Sequence, residues 1–353
     1  MLTLLSILFL SSSSFASAPV LSAYELKNPR AEDLLAVSKL FEIVRRNGSD
    51  YEVMVPATEA GLLRLMAPNA TLLEYDTSAA LKKQLGSFQG LNAQAAGYRS
   101  LAEVQAWMRA KAEAHPDKAE VIQYGTSQGG HALLALRLTN KNTPAPKPAL
   151  MLTAATHGDE LITTEVMLNL VDRLLSGYST NTRFASFIDN RDLYFIPVVN
   201  ADGFAQVNRY ETGRDPNRSY PYPEKPNQSP TPAIGSLMKF FLDHEIVGSI
   251  DFHAYGEMIM YPWAYTHDSV DPDTARRFHM LTGQMAETNN YAYGPISDVI
   301  YIAPGSSADY YFWQKGSTSL AIEIGRNKIP RPDQIPAYVD SQAEATWRFI
   351  EAF

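Results

Sequence analysis

The sequence predicts a mixed α/β protein: a mostly parallel, twisted sheet with helices on both faces, preceded by a small α+β unit. Three observations carry this. Beyond about residue 98, short apolar strand-like runs alternate with longer stretches of helical period, the pattern of a parallel sheet covered on both sides. Before about residue 90 the order is instead strand, turn, strand, helix, strand. With 353 residues, 45% of them hydrophobic, the chain can build one large core and one small one.

In the small unit, expected over residues 24–90, residues 40–45 and 51–55 alternate as strands about an Asn47-Gly48 turn. Residues 57–66 are helical in pattern and 71–75 form a short strand. Residues 85–97, rich in Gly, Gln, Asn and Ala, are expected to be a linker. The large domain is expected over residues 95–353. Ser100, followed three residues on by Glu103, starts a helix that runs to about His115. Residues 119–124 and 132–139 are two strands joined by a Gly-rich turn. The alternating part then has strands at 149–156, 192–199, 249–253 and 319–324, with helices at 163–176, 231–244, 274–289 and 340–352.

Composition limits the chemistry. A formal net charge of -8 argues against non-specific nucleic-acid or anionic-membrane binding. With no cysteine there are no disulfides, thiol nucleophiles or thiolate metal sites, so a metal must be held by His and carboxylates. Residues 1–18 are expected to be a signal peptide: an uncharged apolar and Ser-rich stretch that ends in Phe15-Ala16-Ser17-Ala18. No later segment suits a membrane span. The mature chain is therefore expected to be secreted or periplasmic, without a membrane anchor.

In parallel sheets, ligands bind beyond the carboxyl ends of the strands. There this sequence places His157-Gly158-Asp159-Glu160, Asn200-Ala201-Asp202-Gly203, Asp251-Phe252-His253 and Ile322-Glu323. Two His and one carboxylate make a three-ligand zinc site with one open position. His157 and Glu160, three residues apart past one strand, and His253 from a neighbouring strand end can reach one ion.

These motifs, in this order, resemble those of the carboxypeptidase A/B family of zinc metallocarboxypeptidases. The resemblance runs from about Tyr98 to the C-terminus. It rests on His157-x-x-Glu160, Asn200-Ala201-Asp202-Gly203-Phe204, Asp215-Pro216-Asn217-Arg218 and Ile250-Asp251-Phe252-His253-Ala254-Tyr255. It continues through Ile300-Tyr301-x-Ala303-x-Gly305 and Ile322-Glu323. It implies one Zn2+ per chain on His157, Glu160 and His253. Glu323 is then the general base, and Arg209 stabilises the oxyanion. Asn217, Arg218 and Tyr301 hold the terminal carboxylate of the peptide, and Asp215 accepts from the free ring nitrogen of His157. A pocket of Ile296, Ile300, Ala303, Ser307, Ala308 and Ala321 takes the terminal side chain. That lining is small and apolar, and Ala308 stands where basic-residue specialists carry an acid. An apolar or aromatic C-terminal residue is the expected substrate, and a monomer the expected state.

The sequence departs from the family in having Gly158-Asp159 where an Arg often stands between His and Glu. The small unit resembles the family's open-sandwich pro-segment, and a permanent accessory domain is the other reading. Three further functions stay open: a peptidase or amidase acting on peptidoglycan stem peptides with the same zinc, a serine hydrolase at Ser127 in Gly125-Thr126-Ser127-Gln128-Gly129, and an inactive binding module.

Overall fold

The fold was analysed in a computed structural model, in which residues 20–38, 40–89 and 97–353 are described. The expected signal peptide and the second half of the expected linker lie outside these residues.

The N-terminal unit runs β1 (Leu21–Leu26), α1 (Ala31–Ser38), β2 (Glu42–Asn47), β3 (Asp50–Pro56), α2 (Ala60–Met66), β4 (Thr71–Glu74) and α3 (Thr77–Gln89). Its sheet has the order β2-β3-β1-β4. Strand alternation sends Tyr24, Leu26, Ile43, Val53 and Val55 to a core shared with Val37 and Leu63 of the two helices. The opposite face carries Leu21, Ala23 and Met54 and packs on Tyr210 of the large domain. Helices α1 and α2 cover the first face, whereas α3 runs beside the second and lines a cavity with Ala23 and Met54. Two expectations change. The unit includes β1, which begins at Leu21 and pairs with both β3 and β4. The linker expected over residues 85–97 is helical as far as Gln89, because Leu81, Leu85 and Phe88 form a stripe at helical spacing against the main core.

The large domain continues with α4 (Leu101–Ala114), β5 (Ala119–Thr126), β6 (Ala132–Leu138), β7 (Ala149–Ala154), α5 (Leu161–Gly177), α6 (Thr182–Asn190), β8 (Asp192–Ile196), α7 (Ala201–Gln206), α8 (Pro232–Asp243) and β9 (Ile246–His253). It ends with β10 (Met258–Tyr261), α9 (Pro272–Ala286), β11 (Ala292–Pro295), α10 (Ile296–Val299), α11 (Ser307–Lys315), β12 (Thr318–Glu323) and α12 (Ile335–Glu351). The eight strands are ordered β11-β10-β12-β9-β7-β8-β6-β5. The inner strands β12, β9, β7 and β8 are mutually parallel, whereas β10, β6 and β5 pair antiparallel.

β7 shows how the layers are specified. All six of its residues are buried. Leu150 and Leu152 point into a cluster with Ile162 and Val166 of α5 and Phe349 of α12. Met151 points the other way, to Ile234, Leu237 and Phe241 of α8. Each fully buried Leu is worth roughly 1.5–3 kcal/mol, so the uninterrupted apolar run demands helices on both faces. α4 starts with the expected capping box, Ser100 and Glu103 each satisfying the other's backbone N–H. α12 starts five residues before the expected position, with Pro336 in its first turn, where a missing N–H costs nothing. From β7 the chain moves to β8 on one side and later to β9 on the other. A crevice opens at such a reversal beyond the strand ends.

Candidate active site

His157 lies just past β7, Glu160 caps the start of α5, and His253 is the last residue of the adjacent parallel strand β9. All three are buried. His157 Nδ1 is 2.9 Å from Glu160 Oε1, and His253 Nδ1 is 3.1 Å from Glu160 Oε2. The other ring nitrogen of each imidazole has its own carboxylate: His157 Nε2 is 3.1 Å from Asp215 Oδ1, and His253 Nε2 is 3.0 Å from Asp251 Oδ2. A proton on each Nε2 satisfies those contacts. It leaves two Nδ1 lone pairs facing each other across 3.1 Å, beside a carboxylate and away from water. Such an arrangement is repulsive without a cation. Tetrahedral zinc with ligand bonds of 2.0–2.1 Å holds its ligands about 3.3 Å apart, so these residues fit the ion. A second possible cluster, Glu42, His157 and Asp215, already has a cation in Arg209, which bonds both acids.

Asp251, not singled out in the sequence, is the partner that orients His253. Alternation along β9 puts Asp251 and His253 on the same face. Asp251 also accepts from the hydroxyls of Thr153 (2.8 Å), Thr156 (2.9 Å) and Ser307 (2.7 Å). Burial works to raise the Asp251 carboxyl, but His253 and these donors hold it below its ordinary value. The Asp-x-His spacing in a strand was the available signal. Asp215, the expected partner of His157, is held well below its usual range against burial by His157 and Arg209.

Glu323 closes β12 and is the register partner of His253. It lines the same cavity as the three ligands, with Arg209, Asn217, Arg218 and Tyr301. Burial pushes its carboxyl up to about 7. Arg218 Nη2 is 3.0 Å from the Tyr301 hydroxyl, and its Nη1 donates to its neighbour's carbonyl at 2.9 Å. Ser307 N donates to Asn217 Oδ1 at 2.9 Å, and the Asn217 amide nitrogen lies 3.1 Å from His253 Nε2. Of the expected side-chain pocket, Ile296, Ile300, Ala303, Ser307 and Ala321 line this cavity, joined by Met260. Ala308 differs: it is not in the lining but packs in the apolar cluster behind it, with Ala303 and Ala321. Met260 could not be found from motif positions, because only the β10–β12 pairing brings it opposite Ala321.

The N-terminal unit places a carboxylate in this site. Glu42, at the start of β2, bonds the Arg209 guanidinium and accepts from the Tyr210 hydroxyl at 2.9 Å. It lies 3.9 Å from Arg218. Three residues on, Arg45 donates to the Tyr255 hydroxyl at 3.2 Å and stacks over its ring. α3 is tied down as well, through Ser78 to the Val207 carbonyl (2.7 Å) and Gln84 to the Ile329 carbonyl (2.8 Å).

The Gly-x-Ser-x-Gly segment is a hairpin turn between antiparallel β5 and β6. Ser127 Oγ donates to Asp202 at 2.6 Å and accepts from the backbone of His131 at 3.0 Å. Asp202 also accepts from Gly129 N at 2.9 Å. The hydroxyl is therefore paired with an acid and not with an imidazole base, and no helix follows to make a nucleophile elbow. This overturns the serine-hydrolase reading.

A family model described as zinc carboxypeptidase matches residues 104–345. Metallocarboxypeptidase A of Trichophyton rubrum is 25% identical over 314 residues, covering 75% of this chain and 74% of the relative. Carboxypeptidase A1 of Rattus norvegicus is 25% identical over 310 residues, covering 75% and 73%. Among solved structures, carboxypeptidase A from Helicoverpa armigera superposes with a TM-score of 0.74 at 20% identity, covering 95% of this chain and 97% of that one. Thrombin-activatable fibrinolysis inhibitor gives a TM-score of 0.73 at 18% identity, covering 94% and 98%. A likeness of that extent includes the fold of the N-terminal unit.

Proposed function

This chain belongs to the zinc carboxypeptidase family, and from that premise we propose how it selects its substrate, which residues act, and how it is held inactive. It is a zinc-dependent metallocarboxypeptidase acting on peptides. We assign the metal to His157, Glu160 and His253. Bound there, zinc lowers the pKa of a water to about 7 and polarises the scissile carbonyl. The protein's own groups do the rest. Glu323 takes a proton from the attacking water and hands it to the leaving amine. Arg209 donates to the oxygen on which negative charge develops. The planar Arg218 fork, the Asn217 amide and the Tyr301 hydroxyl receive the terminal carboxylate and so limit cleavage to the last residue.

The preferred C-terminal residue is apolar or aromatic. The observation that carries this is the lining by Met260, Ile296, Ile300, Ala303 and Ala321, which offers no charge to pair with a basic side chain. The N-terminal unit is a pro-segment. Glu42 takes the guanidinium that catalysis needs, and the sheet that carries it packs over the site. Export is supported by the apolar, Ser-rich leader.

The test is to incubate the zinc-loaded chain, before and after limited proteolysis, with peptides of varied C-termini and to read products by mass spectrometry. Stepwise release of single apolar or aromatic residues, increased by proteolysis and abolished by chelation, is expected. Equal turnover of Lys- or Arg-terminated peptides would overturn the pocket reading. Turnover confined to peptidoglycan stem peptides would move the substrate to the cell wall.

A further inference from the structure

One half-buried cation in the catalytic cavity has no part in this mechanism. Lys328 lies five residues past Glu323 and lines the same cavity as the three metal ligands. It is fixed at both ends. Its backbone carbonyl accepts from Ile162 N in the first turn of α5 at 3.1 Å. Its Nζ is 2.7 Å from Asp159 Oδ2. Asp159, the residue just before the metal ligand Glu160, is itself only 3% exposed at its side chain. Among the described residues that is the only hydrogen bond Nζ makes, and an ammonium has three donors. The Lys328 side chain is 15% exposed.

Its position gives the direction. The cavity has the carboxylate clamp and the apolar pocket on one side. Lys328 shares the other side with Tyr255, Glu52 and Met54, and these same four residues line a second cavity that contains neither a metal ligand nor a clamp residue. A peptide whose terminal carboxylate sits in the clamp and whose last bond lies at the metal can extend toward that second cavity, because these four residues line both. Glu52 and Met54 belong to the N-terminal unit, so this exit is covered while the unit is in place.

Resting on the carboxypeptidase reading above, we propose that Lys328 is a specificity-determining residue: it donates to a main-chain carbonyl oxygen of the substrate on the N-terminal side of the scissile bond. The charge of Lys328 is balanced by Asp159 at 2.7 Å. The pair therefore offers donors with little net field, and it recognises a carbonyl rather than an acidic side chain. The cation is supplied by the loop after β12, while the segment between His157 and Glu160 supplies its anchor.

The test compares the zinc-loaded full chain, opened by limited proteolysis, with its Lys328→Met and Lys328→Arg variants. The substrates are a free dipeptide and a free tetrapeptide with the same C-terminal Phe, and tetrapeptides with Ala, Glu or Lys before the last two residues. Lys328→Met is expected to lower kcat/KM for the tetrapeptide roughly 10-fold, mostly through KM. Dipeptide turnover should change less than about 2-fold, and Lys328→Arg should restore most of the loss. Loss of Lys328 leaves Asp159 unpaired, so a Lys328→Met, Asp159→Asn double variant, checked for an unchanged circular dichroism spectrum, carries the same comparison. An equal loss on both substrates, or none on either, would overturn the proposal. A strong preference for Glu over Ala in the parent, lost in Lys328→Met, would overturn the choice of a carbonyl. If the parent turns over neither substrate, the carboxypeptidase reading itself fails and takes this inference with it.

Discussion

At the scale of single residues, the site is a set of buried groups that satisfy each other only if a metal completes them. Asp215 and Asp251 each bind the outer nitrogen of one histidine and so aim both Nδ1 atoms at one point. Removing such a partner costs roughly 10–100-fold in metal affinity. Asp251→Asn is therefore expected to weaken zinc binding by about that factor, measured by competition with a chromogenic chelator, with the fold intact. Glu323 stands apart from this set, since among the described residues the carboxylates that meet the ring nitrogens are Glu160, Asp215 and Asp251. Glu323→Gln should reduce turnover by roughly 10²–10⁴-fold while zinc content, read by elemental analysis, stays at one per chain. A fall in zinc content alongside activity would instead make Glu323 part of the metal-holding set.

At the scale of elements, the parallel strands bring the chemistry together. β7, β9 and β12 are neighbours, so side chains far apart in sequence meet where these strands end. The loop after β7 is as constrained as the strand. A Cβ added to Gly158 would lie 2.6 Å from the Asn208 carbonyl oxygen and closer still to the backbone of Gly203 and Phe204. These are backbone atoms that cannot rotate away. Gly158→Ala is expected to cost several kcal/mol, as overpacking and backbone shifts do, and to lower zinc affinity by displacing His157 and Glu160. A thermal melt within about 1 °C of the parent would refute the close approach. Position 159 is constrained at this scale too, since Asp159 accepts from Lys328 of the loop after β12 at 2.7 Å.

At the scale of the whole molecule, two couplings follow. Zinc binds the folded chain, so a ligand held at 100 times its dissociation constant stabilises it by about 2.7 kcal/mol. For a domain of this size, chelation is expected to lower Tm by roughly 5–10 °C. A Tm unaffected by chelation would mean that the site is not loaded. The second coupling is between units. Glu42 and Arg209 form a buried ion pair, and truncating one partner of such a pair costs about 3–5 kcal/mol. The full-length Glu42→Gln variant should therefore show basal peptidase activity at least ~10-fold above the parent before any proteolysis. Equal activities would mean that this carboxylate does not hold the site inactive.

Much of this was legible in the sequence because it depends on local patterns. Apolar runs of strand length alternating with helical stripes determined a parallel sheet with helices on both faces. Motif order singled out His157, Glu160, His253, Glu323, Asn217, Arg218 and Tyr301, which the fold brings to one cavity. The sequence missed β1 and the helical part of residues 85–97, where apolar residues are sparse and Gly86 and the glutamines suggest a loop. Only the tertiary structure decided that Glu42 reaches Arg209, 167 residues away, that Met260 joins the pocket by pairing across β12, that Ala308 lies behind it, and that Lys328 anchors on Asp159. The physical reason is common to these cases. A period or a motif shows which face a side chain takes within its own element, whereas a partner on another element depends on strand order, register and the docking of one unit on another.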